Sequence, residues 1–168
     1  RNLMFTAQDF KEGPFVIRYP RGKGYITDWK LPMQKTVIGK AEKLKDGNDI
    51  AVLTIGTMAY NAAKAIEIAE NKTNKSIALY DIRFLKPLDK DTLHSIAKQY
   101  KQIVTVEDGV IDGGFGSAVI EFMADNNYHS EIKRLGIKDV FIEHGTPEQL
   151  YNLTGLDAEG IAETLMKM

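Results

Sequence analysis

Val106–Met123, VEDGVIDGGFGSAVIEFM, decides how the rest of the chain is read. An apolar strand, QIVTVE (102–107), runs into a loop with four glycines, and the loop feeds an apolar helix. Phosphate- and dinucleotide-binding turns are built in this order. Yet Gly114-x-Gly116 is followed by Ser117, Ala118 and Val119, so the third glycine of a dinucleotide fingerprint is missing. A P-loop needs a lysine before its Ser or Thr, and this loop has none. The loop is therefore read as structural. Gly113, Gly114 and Gly116 allow positive φ or close backbone approach, with at least one positive φ expected. Glu107 is read as a partner of loop amides or of another chain. Catalysis by Glu107 and Asp108, as a base or a metal pair, is the competing reading.

Working outward, strands and helices alternate. TVIGKAEKL (36–44) reads as a first strand, and Asp46-Gly47 carries a hairpin signal into a second, DIAVLTIG (49–56). That second run is apolar throughout, as suits a strand covered on both faces. Thr57 is expected to cap a helix through about Glu70, with Ala62, Ala63, Ile66 and Ala69 at helical spacing. SIALYDIR (76–83) is a third strand, and Asp89 caps a helix ending near Tyr100. The glycine loop opens a helix from Ser117 to about Asn126, and EIKRLGI (131–137) is a weaker fifth strand. Two short helices close the chain, with Thr146, paired with Gln149, and Asp157 as N-caps. This order predicts a mostly parallel sheet between helices, with the first strand reversed.

Residues 1–35 look different. NLMFTAQDF reads as the last turns of a helix, PFVIR (14–18) as a short strand, and YPRGKGYITDWKLP as a linker. Because the helix looks already under way at Arg1, a longer protein is expected. Arg18, Arg21 and Lys23 sit beside glycines and an aromatic; a phosphate site and a charged surface loop remain equally open there.

Composition narrows the function. Of 168 residues, 43% are hydrophobic and the net charge is -1 with signs interspersed, so no footprint for nucleic acid or an anionic membrane is expected. No apolar run approaches the length of a spanning helix, and no signal peptide is read at the start. The absence of cysteine removes thiolate nucleophiles and Cys-based zinc sites and is compatible with a reducing cytoplasm. Asn71, Asn74 and Asn152 head glycosylation-type triplets read as chance. His94, His129 and His144 have spacings that fit neither a metal motif nor a catalytic triad.

Five stretches then combine: GPFVIRYPRGKG, VIGKAEKLKDGNDIAVLTIGTMAYNAAKA, YDIRFLKPLDKDTL, VTVEDGVIDGGFGSAV and IEHGTPEQLYNLTGLDAEGI. Together they closely resemble the C-terminal end of the 1-deoxy-D-xylulose-5-phosphate synthase family, within the thiamine-diphosphate transketolase superfamily. The Gly-Thr-Met and Asp-x-Arg-x-x-x-Pro-Leu-Asp elements are shared with transketolases and 2-oxoacid dehydrogenase beta chains, while the ending is more specific to the synthases. The resemblance implies a three-layer α/β/α sandwich on a five-stranded mixed sheet with one antiparallel strand, over residues 36–168. Residues 1–35 would be the tail of the pyrimidine-binding domain plus a linker. It implies, for the intact enzyme, a cytoplasmic homodimeric transferase that condenses pyruvate with glyceraldehyde 3-phosphate, with loss of CO2, on thiamine diphosphate and Mg2+. Isoprenoid, thiamine and pyridoxal synthesis would draw on its product. Arg18 matches the arginine that would bind the substrate phosphate. No cofactor or metal is expected in this fragment, whose partners would be the upstream domains. The alternatives are part of a transketolase or dehydrogenase beta chain, and a non-catalytic assembly module.

Overall fold

In a computed structural model, residues 1–17, 19 and 30–168 are described. The chain divides into two units, Arg1–Ile38 and Gly39–Met168.

In the first unit, helix α1 (Asn2–Ala7) is tied to the segment before the boundary. The Gln34 amide donates to Asn2 Oδ1 (3.2 Å) and the Thr36 amide to Thr6 Oγ1 (2.8 Å). Lys35 pairs with Asp9, and the Arg1 guanidinium donates to the Leu31 carbonyl. The expected strand at 14–18 does not form over residues 14–17. A lone apolar run has no ladder to join: Val16 is exposed, and Phe15 packs edge-on against Phe10 at 5.2 Å.

The second unit is built on β1 (Glu42–Lys45), β2 (Ile50–Thr54), β3 (Ile77–Asp81), β4 (Gln102–Val110) and β5 (Glu131–Ile137). They form one sheet in the order β1-β3-β2-β4-β5. β1 is antiparallel to β3 and every other pairing is parallel. This is the expected five-stranded mixed sheet with one reversed strand. β2, buried along its whole length, takes the centre. β1, sequence EKLK and largely exposed, takes an edge, where lysines discourage further pairing.

The expected β1–β2 hairpin is corrected: the two strands are not neighbours, because β3 inserts between them. The turn instead crosses the start of β3. The Asn48 and Asp49 amides both donate to the Ser76 carbonyl (3.0 and 2.8 Å). A Cβ on Gly47 would lie 2.2 Å from the Ala78 nitrogen, so only glycine lets the turn lie on that backbone. β2 already has β3 and β4 on its two edges, which overrides the local Asp-Gly signal.

Helices cover both faces. α2 (Met58–Lys72) and α6 (Ala158–Lys167) bury Ala62, Ile66, Ile161 and Leu165 against Val52, Leu79 and Val104. On the other face α3 (Lys90–Gln99) and α4 (Phe115–Asp125) bury Leu93, Ile96, Phe115 and Val119 against Leu53, Ala78 and Ile103. The short α5 (Pro147–Thr154) precedes α6 and buries none of its residues. The Asp89, Thr146 and Asp157 caps form, and Thr146 with Gln149 makes a full capping box. Thr57 occupies the N-cap position of α2, but its side chain makes no capping bond, and the preceding Gly56 turns the chain at φ +68°. Among the described residues no helix is long and apolar enough to cross a membrane.

Candidate functional site

The glycine loop begins inside β4. The strand continues past Val106 to Val110 through an irregularity in its pairing with β5. Glu107 therefore lies within the sheet, 5% exposed, and its carboxylate points along the start of α4. Oε2 accepts the Phe115 amide at 2.7 Å and Oε1 accepts the Gly116 amide at 2.8 Å. These are two of the amides that a helix N-terminus leaves without intrahelical partners. Gly114, at the N-cap, has no side chain to serve them, so a strand residue does, and its charge complements the helix dipole. α4 starts at Phe115, two residues before the expected Ser117, because these bonds let its first turn form.

Each glycine has a separate reason. Gly113 sits at φ +72° in open space. On Gly114, a Cβ would fall 2.2 Å from Glu107 Oε2 and 2.5 Å from the Val110 carbonyl. On Gly116, it would fall 2.6 Å from Thr105 Oγ1 and 2.9 Å from the Arg134 side chain. Arg134 clamps the loop from β5: its Nη1 donates to the Ile111 carbonyl (2.9 Å) and to Ser117 Oγ (2.8 Å). Ser117 Oγ also accepts the Gly113 amide at 3.1 Å. Nothing in the local pattern singled out Arg134. It reads as an ordinary strand cation until β5 is placed beside β4.

This geometry bears on cofactor binding. A phosphate held at a helix N-terminus uses the amides that Glu107 already occupies. Among the described residues no group of three His, Cys, Asp or Glu could hold a metal ion. Asp108, exposed on the strand after Glu107, accepts the Tyr151 hydroxyl at 3.0 Å. The described residues thus do not fit thiamine diphosphate or Mg2+ at this loop. His94 is occupied too, its Nδ1 lying 3.0 Å from the Tyr128 hydroxyl and its ring edge-on to Phe122. Arg18 and Arg21 lie outside the described residues.

The Asp-x-Arg-x-x-x-Pro-Leu-Asp element has a different task. Asp81 Oδ1 accepts the amide of Arg83, whose backbone is left-handed at φ +58°. Arg83 then reaches residues 40–42. Its Nε donates to the Lys40 carbonyl (2.9 Å) and Nη1 to Glu42 Oε2 (3.1 Å). Asp89, 3% exposed, grips the same segment from the other side. Its Oδ2 accepts the Ala41 amide (2.9 Å) and Oδ1 the Lys40 ammonium (3.2 Å), while it also caps α3 through the Thr92 amide. Gly39 lies so close to the Pro87 ring that a Cβ would fall 2.7 Å from its Cγ. The element is a clasp that fastens the approach to the edge strand. Burial pushes the Asp89 carboxyl upward, but hydrogen bonds from Ala41, Thr92 and Lys40 outweigh it and hold the group below the usual carboxylate range. At Asp81 burial wins and the carboxyl is raised.

Residues 39–161 match the family described as "Transketolase, C-terminal domain". The chain belongs to that family. Curated relatives of this transketolase C-terminal domain include 1-deoxy-D-xylulose-5-phosphate synthase of Phocaeicola vulgatus, 58% identical over 166 residues (99% of this chain, 26% of the relative). The synthase of Bacteroides fragilis is 56% identical over 167 residues (99% and 26%). That of Shouchella clausii is 39% identical over 168 residues (100% and 27%). The chain spans about a quarter of the length of these relatives. Among solved structures, a "split gene transketolase, inactive beta4 tetramer" superposes with a TM-score of 0.73 at 30% identity, over 79% of this chain and 43% of that one. Transketolase from Campylobacter jejuni, at 13% identity and a TM-score of 0.57 (77% and 19%), shares the fold of the transketolase C-terminal domain.

Proposed function

We propose that the chain is the C-terminal part of a 1-deoxy-D-xylulose-5-phosphate synthase. The observation that carries this reading is 58% identity over 99% of the chain to a protein of that name. The whole protein would join pyruvate to glyceraldehyde 3-phosphate with loss of CO2, in the cytoplasm and as a homodimer, and its product would feed isoprenoid synthesis. Thiamine diphosphate, with Mg2+, would supply the electron sink for decarboxylation. The part of the protein outside these residues would hold it, since Glu107 occupies the amides of α4. In this reading residues 36–168 form the C-terminal domain, residues 1–35 are the tail of the pyrimidine-binding domain plus a linker, and Glu107, Gly113, Gly114 and Gly116 serve backbone shape. Arg18 is proposed to bind the phosphate of glyceraldehyde 3-phosphate, on the strength of its place in the Arg-Tyr-Pro-Arg-Gly motif.

A second reading, part of a transketolase, draws on the likeness to the split-gene transketolase. The experiment that separates them is an assay of the longer gene product containing these residues, supplied with thiamine diphosphate and Mg2+. Consumption of pyruvate with glyceraldehyde 3-phosphate, without lipoate, supports the synthase. Transfer of a two-carbon unit between sugar phosphates, with no use of pyruvate, sinks it. The 168-residue chain alone should catalyse neither.

A further inference from the structure

Helix α5 carries strong terminal signals: a capping box, Pro147 in its first turn and Gly155 left-handed at its end. Yet none of its residues is buried, whereas α6, two residues longer, buries Ile161, Ala162 and Leu165. An eight-residue helix gains little from propensity alone and depends on packing. Caps, the Tyr151–Asp108 bond and the packing of Tyr151 against the core hold α5 in place with Leu153 outward, 67% exposed. The segment leading to it is similar: Val140 is 62% exposed and Phe141 fully so. Leu150 and Leu153 share an open hollow of about 360 Å³ with Glu143 and His144. Apolar surface of this kind, held on a rigid scaffold, marks a protein contact.

The charge around it selects the partner. Asp139, Glu143 and Glu148 are exposed, and the only Lys or Arg within residues 138–149 is Lys138. A second copy docking through the same face would set carboxylates against carboxylates, which is costly. A surface with an apolar socket and a Lys/Arg rim would match. We propose that Phe141, Leu153 and the hollow between the loop and α5 dock the portion of the longer protein that these 168 residues lack. The proposal rests on the reading of the chain as one part of a synthase. The relatives have room for such a partner, since the chain accounts for only 26% of their length.

The chain contains no cysteine, so Leu153→Cys gives it a single thiol. Maleimide labelling of residue 153, read by mass spectrometry of its peptide, is compared between the 168-residue chain and the longer protein. The expected result is labelling at least tenfold slower in the longer protein, and a rate in the short chain that is independent of protein concentration. Equal rates in the two proteins would overturn the proposal. Protection that grows with concentration of the short chain would assign the face to a second copy and overturn it as well. Phe141→Ser should lower the melting temperature of the longer protein and leave that of the short chain unchanged. An equal drop in both would mean that Phe141 serves the domain's own fold. The synthase reading is judged separately, by the condensation assay on unmodified longer protein.

Discussion

The carboxylate of Glu107 accepts the amide of Phe115 at 2.7 Å, so the first turn of α4 is capped by a strand residue eight positions upstream. A loop that resembles an anion-binding turn has its anion built in. Replacing Glu107 by Ala would strand two buried amides, each costing about 1–3 kcal/mol. Urea unfolding of E107A should show a loss of about 2 kcal/mol or more. Glu107→Gln keeps one acceptor oxygen and should lose less. A loss below about 0.5 kcal/mol for E107A, the scale of ordinary surface changes, would refute the capping role.

The glycines should rank by geometry. Gly113→Ala forces a left-handed alanine in open space and should cost about 1 kcal/mol. Gly114→Ala must displace both Glu107 and the Val110 carbonyl, and should cost clearly more. Melting curves of the two variants give the order. Equal costs would mean that the loop yields where the structure has it rigid.

The clasp predicts an acid-side signature. Asp89 has a depressed carboxyl, so its stabilisation is complete above the unfolded value of about 3.9 and is lost as pH falls through its lower folded value. Asp81 has the opposite sign: its raised carboxyl favours the fold below about pH 3.9, and that contribution is lost as pH rises through its folded value. Urea unfolding across pH 2–7 should therefore show a shallower acid limb in Asp89→Asn and a steeper one in Asp81→Asn. Identical acid limbs in both variants and the parent would show that neither carboxylate fastens residues 40–42.

Arg18 gives a prediction for the longer protein. A guanidinium bonded to phosphate is worth roughly 1.5–3 kcal/mol per charge-assisted bond, so Arg18→Ala should lower kcat/KM for glyceraldehyde 3-phosphate by about 10- to 150-fold. Pyruvate carries no phosphate, and its kinetics should change little. An equal loss toward both substrates, together with a lower melting temperature, would make Arg18 a structural residue.

Much of this fold was legible because its signals were local or strongly patterned. The unbroken apolar run of β2 announced a central strand, and Asp89, Thr146 and Asp157 announced the helix starts they cap. What failed depended on distant chain. Asp46-Gly47 signalled a hairpin, but β3, some thirty residues on, takes the place beside β2. Thr57 stood where a cap belongs, yet Gly56 makes the turn. The candidate site was half visible: Glu107 and the glycines could be named, while Arg134 and the grip of Arg83 on residues 40–42 emerge only when strands are laid side by side. Arg18 was left open by local pattern alone: its neighbours fit a phosphate site and a charged surface loop equally well.

In the glycine loop the protein's own carboxylate, that of Glu107, fills the helix terminus. Nitrogen–proton correlation spectra of the 168-residue chain, titrated with thiamine diphosphate and Mg2+, test it most directly. With Glu107 on both amides, the Phe115 and Gly116 signals should stay in place at millimolar cofactor. A saturable shift of those two signals at micromolar cofactor would contradict it.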